Sequence, residues 1–112
     1  MEDARAFNAR DLNGHLLCPA CGFRDYAVEE AYDECGGIIG IAICPCCLWE
    51  PGFDDDPRAS SAAKDTVLTS LRAYRSGWND GPKWVGRATE RPPDWDGNRQ
   101  LAELFQAAPN VR

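Results

Sequence analysis

A chain of 112 residues with six cysteines and a formal net charge of −6 amounts to one domain, short enough that a staple matters to its stability. The charge is uneven: residues 24 to 56 hold nine acids and one base, a net −8, whereas residues 57 to 112 hold nine bases and six acids, a net +3. An acidic first half repels phosphate backbones, which disfavours nucleic acid as a partner and favours a basic protein surface.

The opening stretch, MEDARAFNAR, is charged and lacks the apolar segment of a secretory signal, so the protein is expected in the cytoplasm. Residues 1–15 read as a loosely attached arm, residues 16–108 as a single domain and residues 109–112 as a tail. In a reducing compartment six cysteines argue for metal or redox chemistry rather than a disulfide framework. LLCPACGFRDY carries the first Cys-Pro-x-Cys, through Cys18 and Cys21. DYAVEEAY then reads as a strand, and the adjacent glycines of Asp33-Glu34-Cys35-Gly36-Gly37 permit a tight turn. In GGIIGIAI, Ile39, Ile41 and Ile43 alternate with period 2, which predicts a buried partner strand running into the second Cys-Pro-x-Cys at Cys44 and Cys47. The same run is too short to cross a bilayer.

GFDDDP reads as a solvated turn leading into a helix whose positive N-terminal dipole it complements, with an acidic docking patch as the functional alternative. From about Ser60 to Ser76, Ala63, Val67, Leu71 and Tyr74 fall at helical spacing, with Ser60 or Ser61 as N-cap and Gly77 as the residue after the helix. Lys64, Arg72 and Arg75 flank this stripe, either to pair with the acidic hairpin or to face outward. Residues 77–97 contain four Gly, three Pro and three Trp, so Trp78, Trp84 and Trp95 are expected to lid a core within irregular chain. A final helix over Asn98–Ala108 should turn Leu101, Leu104 and Phe105 inward and end at Pro109. The predicted fold is α+β: a small zinc-ribbon β-hairpin packed on one main amphipathic helix, with a Trp-rich C-terminal wrap and a short final helix.

The two CxxC pairs, Cys18 with Cys21 and Cys44 with Cys47, are 22 residues apart, a spacing that lets two knuckles face each other around one ion in tetrahedral S₄ coordination. Structural Zn²⁺ is the leading assignment and iron in an FeS₄ site the rival. Four thiolates leave no open position for water, which disfavours Lewis-acid catalysis. Gly22 follows the first pair, but Leu48 occupies the equivalent place after the second, so that turn must be made differently or under strain. Cys35 and Cys46 are left as spare or regulatory thiols, and His15 as a surface residue or a substitute ligand. One histidine, no glycine-rich phosphate loop and no nucleophile beside a base make this a poor candidate for an enzyme.

CPACGFRDY, ICPCCLWEPGFDDD, LRAYRSGW and RPPDWDGNRQLAELF together resemble the bacterial cysteine-rich CPCC family of short proteins, across about Leu17 to Phe105. The arm before His15 and the GGIIGIAI run depart from it. The resemblance implies a zinc-ribbon-like site at Cys18, Cys21, Cys44 and Cys47. The family has no settled activity, and its size and acidity are similar to those of small bacterial immunity proteins and antitoxins. The leading functional expectation is therefore a non-enzymatic, zinc-binding interaction module, an immunity- or antitoxin-type inhibitor of a basic partner. A rubredoxin-like FeS₄ electron carrier is the first alternative and a nucleic-acid-binding zinc ribbon the second.

Overall fold

The computed structural model describes residues 3–56 and 66–112. Two α-helices, α1 (Val67–Ser76) and α2 (Gly97–Ala107), and three single 3-10 turns, Ala4–Phe7, Ala88–Glu90 and Pro109–Val111, are its regular elements. The described residues contain no β-strand, only isolated bridges such as Leu17 with Arg24 and Tyr32 with Gly37. The expected α+β fold with a β-hairpin is thus not what forms.

Local chemistry accounts for the difference. Asp25 sits in the left-handed region at φ 58° and Gly40 at φ 88°, which breaks both runs predicted as strands. The Asn8 side chain takes both backbone groups of Tyr32, donating to its carbonyl (2.9 Å) and accepting from its N–H (3.1 Å), on the side away from the turn that bridges Tyr32 to Gly37. The turn itself does form: Asp33 N–H donates to Gly36 O, and Ile38 N–H to Ala31 O. The isoleucine alternation does not become a buried face, since Ile39 and Ile43 are exposed and Ile41 is half-buried.

Helix α1 starts at a capping box in which Thr66 Oγ1 accepts from Thr69 N–H (3.1 Å) and Thr69 Oγ1 from Thr66 N–H (3.2 Å). Ser60, Ser61, Ala63 and Lys64, assigned to this helix from sequence, lie outside the described residues. Val67, Ser70 and Leu71 face inward, Tyr74 is half-buried, and Gly77 caps the end in a right-handed conformation. Helix α2 begins one residue earlier than the spacing predicts, with Asp96 accepting from Arg99 N–H, and it buries Leu104 fully and Leu101 and Phe105 in part. Pro109 opens a further turn that seats Val111 in the core.

Described residues near both ends pack on the body of the fold. Ala4, Phe7 and Ala9 are buried, Leu17 N–H donates to Ala9 O, and Asn110 Nδ2 donates to Ala6 O. The Phe7 ring packs 6.0 Å from that of Tyr32. Among the described residues no helix is long and apolar enough to cross a membrane.

The acidic run is also partly internal. Fully buried Trp49 donates through Nε1 to Tyr32 Oη (3.0 Å), Tyr32 Oη donates to Asp55 Oδ2 (2.8 Å), and Asp55 Oδ1 accepts from Gly52 N–H (2.8 Å). Asp54 accepts from Glu50 N–H at 2.7 Å. Burial pushes the Asp55 carboxyl up, against hydrogen bonds from Tyr32 and Gly52 that favour its ionised form. Asp55 thus organises a buried polar chain, a correction to the solvated-turn reading. Asp55→Ala would leave the buried Tyr32 hydroxyl and the half-buried Gly52 N–H without their acceptor, an expected loss of about 3 kcal/mol in urea unfolding. Asp55→Asn retains an acceptor and should lose markedly less; equal losses would show that the hydrogen bonds are not what Asp55 contributes.

Candidate metal centre

The two Cys-Pro-x-Cys segments fold into near-identical knuckles. In the first, Gly22 N–H donates to Cys18 O (2.8 Å) and Cys18 N–H to Phe23 O (3.0 Å); in the second, Leu48 N–H donates to Cys44 O (2.9 Å) and Cys44 N–H to Trp49 O (2.9 Å). Gly22 reaches the required left-handed conformation at φ 89° and Leu48 at φ 67°. The second turn is therefore made in the same way, with strain of about 1–2 kcal/mol that an L-residue incurs there. Leu48 is exposed and contributes little packing. Leu48→Gly should accordingly raise stability by about 1 kcal/mol or less, as a shift in the urea midpoint, after its entropic cost is subtracted. A clear loss would mean the leucine side chain is needed.

These knuckles bring the four predicted ligands together. The Sγ atoms of Cys18, Cys21, Cys44 and Cys47 all lie within 4.8 Å of one another, and all four residues are buried. Across the knuckles, Cys18 Sγ is 3.7 Å from Cys47 Sγ, and Cys21 Sγ is 3.7 Å from Cys44 Sγ. A disulfide requires about 2.05 Å, and all six cysteines are free. A tetrahedron with metal–sulfur bonds of about 2.3 Å has edges of about 3.8 Å. The two cross-knuckle distances match that edge, and the quartet is compact enough to hold a single metal ion.

Electrostatics agree with this donor set. Burial pushes the Cys21 and Cys47 thiols well up, and the Cys18 sulfur adds to the effect on both. Four thiolates packed so closely in a dry site repel one another strongly, and a divalent cation at their centre is what allows all four to ionise.

Groups far away in sequence hold the knuckles. Arg75, on the last turn of α1, donates to the carbonyls of Ala20 (2.8 Å) and Pro19 in the first knuckle and stacks over Phe105 at 4.8 Å. Burial pulls its pKa down to about 10, while the Cys18 sulfur opposes that shift. Tyr74 Oη donates to Cys47 O (2.6 Å), Val85 N–H to Cys46 O (2.8 Å), and Gln100 Nε2 to Cys21 O (3.1 Å). A Cβ at Gly86 would run into the Pro45 carbonyl, so only glycine lets that strap lie on the second knuckle. Sequence reading flagged Arg75 only as a possible ion-pair partner and did not single out Gln100 or Gly86 at all. Their roles follow from packing between distant segments, which no local pattern encodes.

The remaining candidates separate cleanly. His15 Nδ1 lies 2.9 Å from Asp25 Oδ1 in a partly exposed pair outside the quartet. Cys35 is exposed on the turn, its N–H donating to Asp33 Oδ1. Cys46 is fully buried beside the quartet but not part of it, with Gln100 Nε2 3.7 Å from its Sγ; a hydrogen bond with Cys21 draws its thiol down despite burial. Arg72 donates to Arg112 O rather than to the acidic loop. The tryptophans are partly buried against the core in edge-to-face chains, Phe23 to Trp84 to Trp95 (5.4 and 5.6 Å) and Trp49 to Tyr74 to Trp78 (5.0 and 6.0 Å). Comparison with family models, curated proteins and solved structures finds no match to the chain.

Proposed function

We propose that Cys18, Cys21, Cys44 and Cys47 hold one structural Zn²⁺, and that the chain is a non-enzymatic binding module of the bacterial CPCC type. In this reading it acts in the cytoplasm as an immunity- or antitoxin-type inhibitor of a basic protein. The observation that carries it is the buried quartet of sulfurs, all within 4.8 Å of one another and two pairs of them at 3.7 Å. Bound there, the ion would supply a cross-link between two segments 22 residues apart in sequence. With all four coordination positions taken by sulfur, no place is left for a substrate or an activated water, which supports a structural rather than catalytic role.

The choice of partner rests on charge. From Asp25 to Asp56 the sequence has nine acids and neither lysine nor arginine. Asp54 and Asp55 accept internal hydrogen bonds, so the outward charge is carried by residues such as Glu29, Asp33 and Glu34. A surface of this sign steers and holds a basic partner through salt-sensitive contacts. Pull-down from the native host should recover a basic protein that is released as salt is raised. Recovery of no basic protein, or binding indifferent to salt, would overturn the reading.

Iron is the second reading, and one observation favours it. Leu48 adopts the same left-handed conformation as Gly22, so it does not prevent the second knuckle from taking a rubredoxin-like shape. Colour separates the two metals: a red protein bleached by dithionite contains iron, whereas a colourless one with a filled site contains zinc.

A further inference from the structure

Residues of the first knuckle and of the start of α2 line a cavity of about 270 Å³ that the metal centre does not use. Leu17, Phe23, Trp95 and Leu104 give it an apolar lining, and this lining is anchored to the knuckle. The Trp95 indole donates to Gln100 Oε1 (3.0 Å), Gln100 Nε2 donates to Cys21 O (3.1 Å), and the Phe23, Trp84 and Trp95 rings meet edge to face. A surface fixed in this way incurs little ordering cost when a ligand settles on it. The volume lies just below the ~300–1,000 Å³ of sites that enclose drug-sized molecules, which calls for a smaller occupant. The polar lining has both signs of charge: Asp11, Asp94, Asp96 and Glu103 supply four carboxylates, and Arg24 and Arg99 two guanidiniums. Much of this charge is left unsatisfied by the protein itself. Arg24 Nε stands 3.2 Å from Asp11 Oδ2 and Arg99 Nε 3.7 Å from Glu103 Oε1, yet among the described residues neither guanidinium donates a hydrogen bond. Asp11 Oδ2 is buried and accepts none, and the Asp94 carboxylate has neither a hydrogen bond nor an ion pair among the described residues.

We infer that this cavity binds a free α-amino acid with an apolar or aromatic side chain: its carboxylate is taken by the Arg24 and Arg99 guanidiniums, its ammonium by Asp94, and its side chain by Phe23 and Trp95. The inference does not depend on the protein partner proposed above. An α-amino acid carries its two charges on one carbon and so needs opposite charges a few ångströms apart, the separation found in the Arg24–Asp11 and Arg99–Glu103 pairs. Other occupants meet opposition. A phosphate or a lone carboxylate faces four carboxylates, an amine without an acid group faces two guanidiniums, and an uncharged apolar molecule takes all of these groups out of water without satisfying any.

The test titrates the metal-loaded, nitrogen-15-labelled 112-residue chain with L-phenylalanine, phenethylamine and 3-phenylpropanoate, which share one apolar body and differ in the charges they carry. L-Phenylalanine should move the resonances of the Gly22 amide and the Trp95 indole N–H and bind about tenfold or more tightly than either analogue. Asp94→Asn should lower its affinity about tenfold, to that of 3-phenylpropanoate, without weakening 3-phenylpropanoate itself. Arg24→Gln with Arg99→Gln should lower it about tenfold, to that of phenethylamine, without weakening phenethylamine. Circular dichroism and metal content verify that the variants fold, and Arg99→Gln alone is the substitute if the double variant does not. Phenethylamine binding as tightly as L-phenylalanine would make the cavity a cation site, 3-phenylpropanoate doing so would make it an anion site, and either result overturns the inference. So would variants that bind all three compounds as the parent chain does, or Gly22 and Trp95 resonances left in place by L-phenylalanine at about 10 mM.

Discussion

Removal of the metal is expected to unfold the protein. Chelation should abolish the near-ultraviolet signal of the packed tryptophans and most of the helical signal, and added Zn²⁺ should restore both. A structural zinc site contributes on the order of 10 kcal/mol, whereas a domain's whole stability is about 5–15 kcal/mol. In the first half Leu16, Leu17, Tyr26, Tyr32 and Trp49 are buried in one cluster with the four cysteines, so the metal stands at the middle of what packs there. Between Leu16 and Phe53, Ile38, Ile39, Ile43, Leu48 and Phe53 contribute surface rather than core, while Cys18, Cys21, Cys44 and Cys47 are buried at its centre. Arg75, Tyr74 and Gln100 bond to knuckle carbonyls, so loss of the knuckles should release α1 and α2 as well. Unchanged spectra in protein verified to be free of metal would show that the core stands alone.

Gly22→Ala is expected to be strongly damaging although it adds a single methyl group. Its Cβ would lie 2.7 Å from Gln100 O and 2.9 Å from Leu104 Cβ, at a residue already held at φ 89°. The knuckle and α2 touch there through backbone, which cannot yield as a flexible side chain does. Gly14 provides the control, since it has a similar φ of 84° and nothing within 4 Å of an added Cβ. Gly14→Ala should cost about 1–2 kcal/mol for conformation alone. Gly22→Ala should lose a further 1–3 kcal/mol from overpacking. Urea unfolding of the two variants measures the difference, and equal losses would mean that α2 is not seated on the first knuckle.

What could be read from the sequence was local. Each CxxC closes over a few residues, so the four cysteines that the fold gathers were legible as a group, and α2 was visible from Leu101, Leu104 and Phe105 with Pro109 beyond. The strands were misread because period-2 alternation at Ile39, Ile41 and Ile43 signals a strand only when a partner supplies the ladder. Here the pairing is a single bridge between Tyr32 and Gly37, and Gly40, at φ 88°, turns the run away from extended geometry. Asp55 looked like one of three solvated acids, and only its distance from Tyr32 and Gly52 distinguishes it. Leu48 was recognised as the awkward residue of the second knuckle, and the fold accepts the strain rather than changing the turn.

X-ray absorption at the zinc edge, on protein purified without added metal, tests the central claim most directly. The expected result is one zinc per chain with four sulfur scatterers at about 2.3 Å. A shell containing nitrogen or oxygen, or a folded chain that carries no metal, would contradict it.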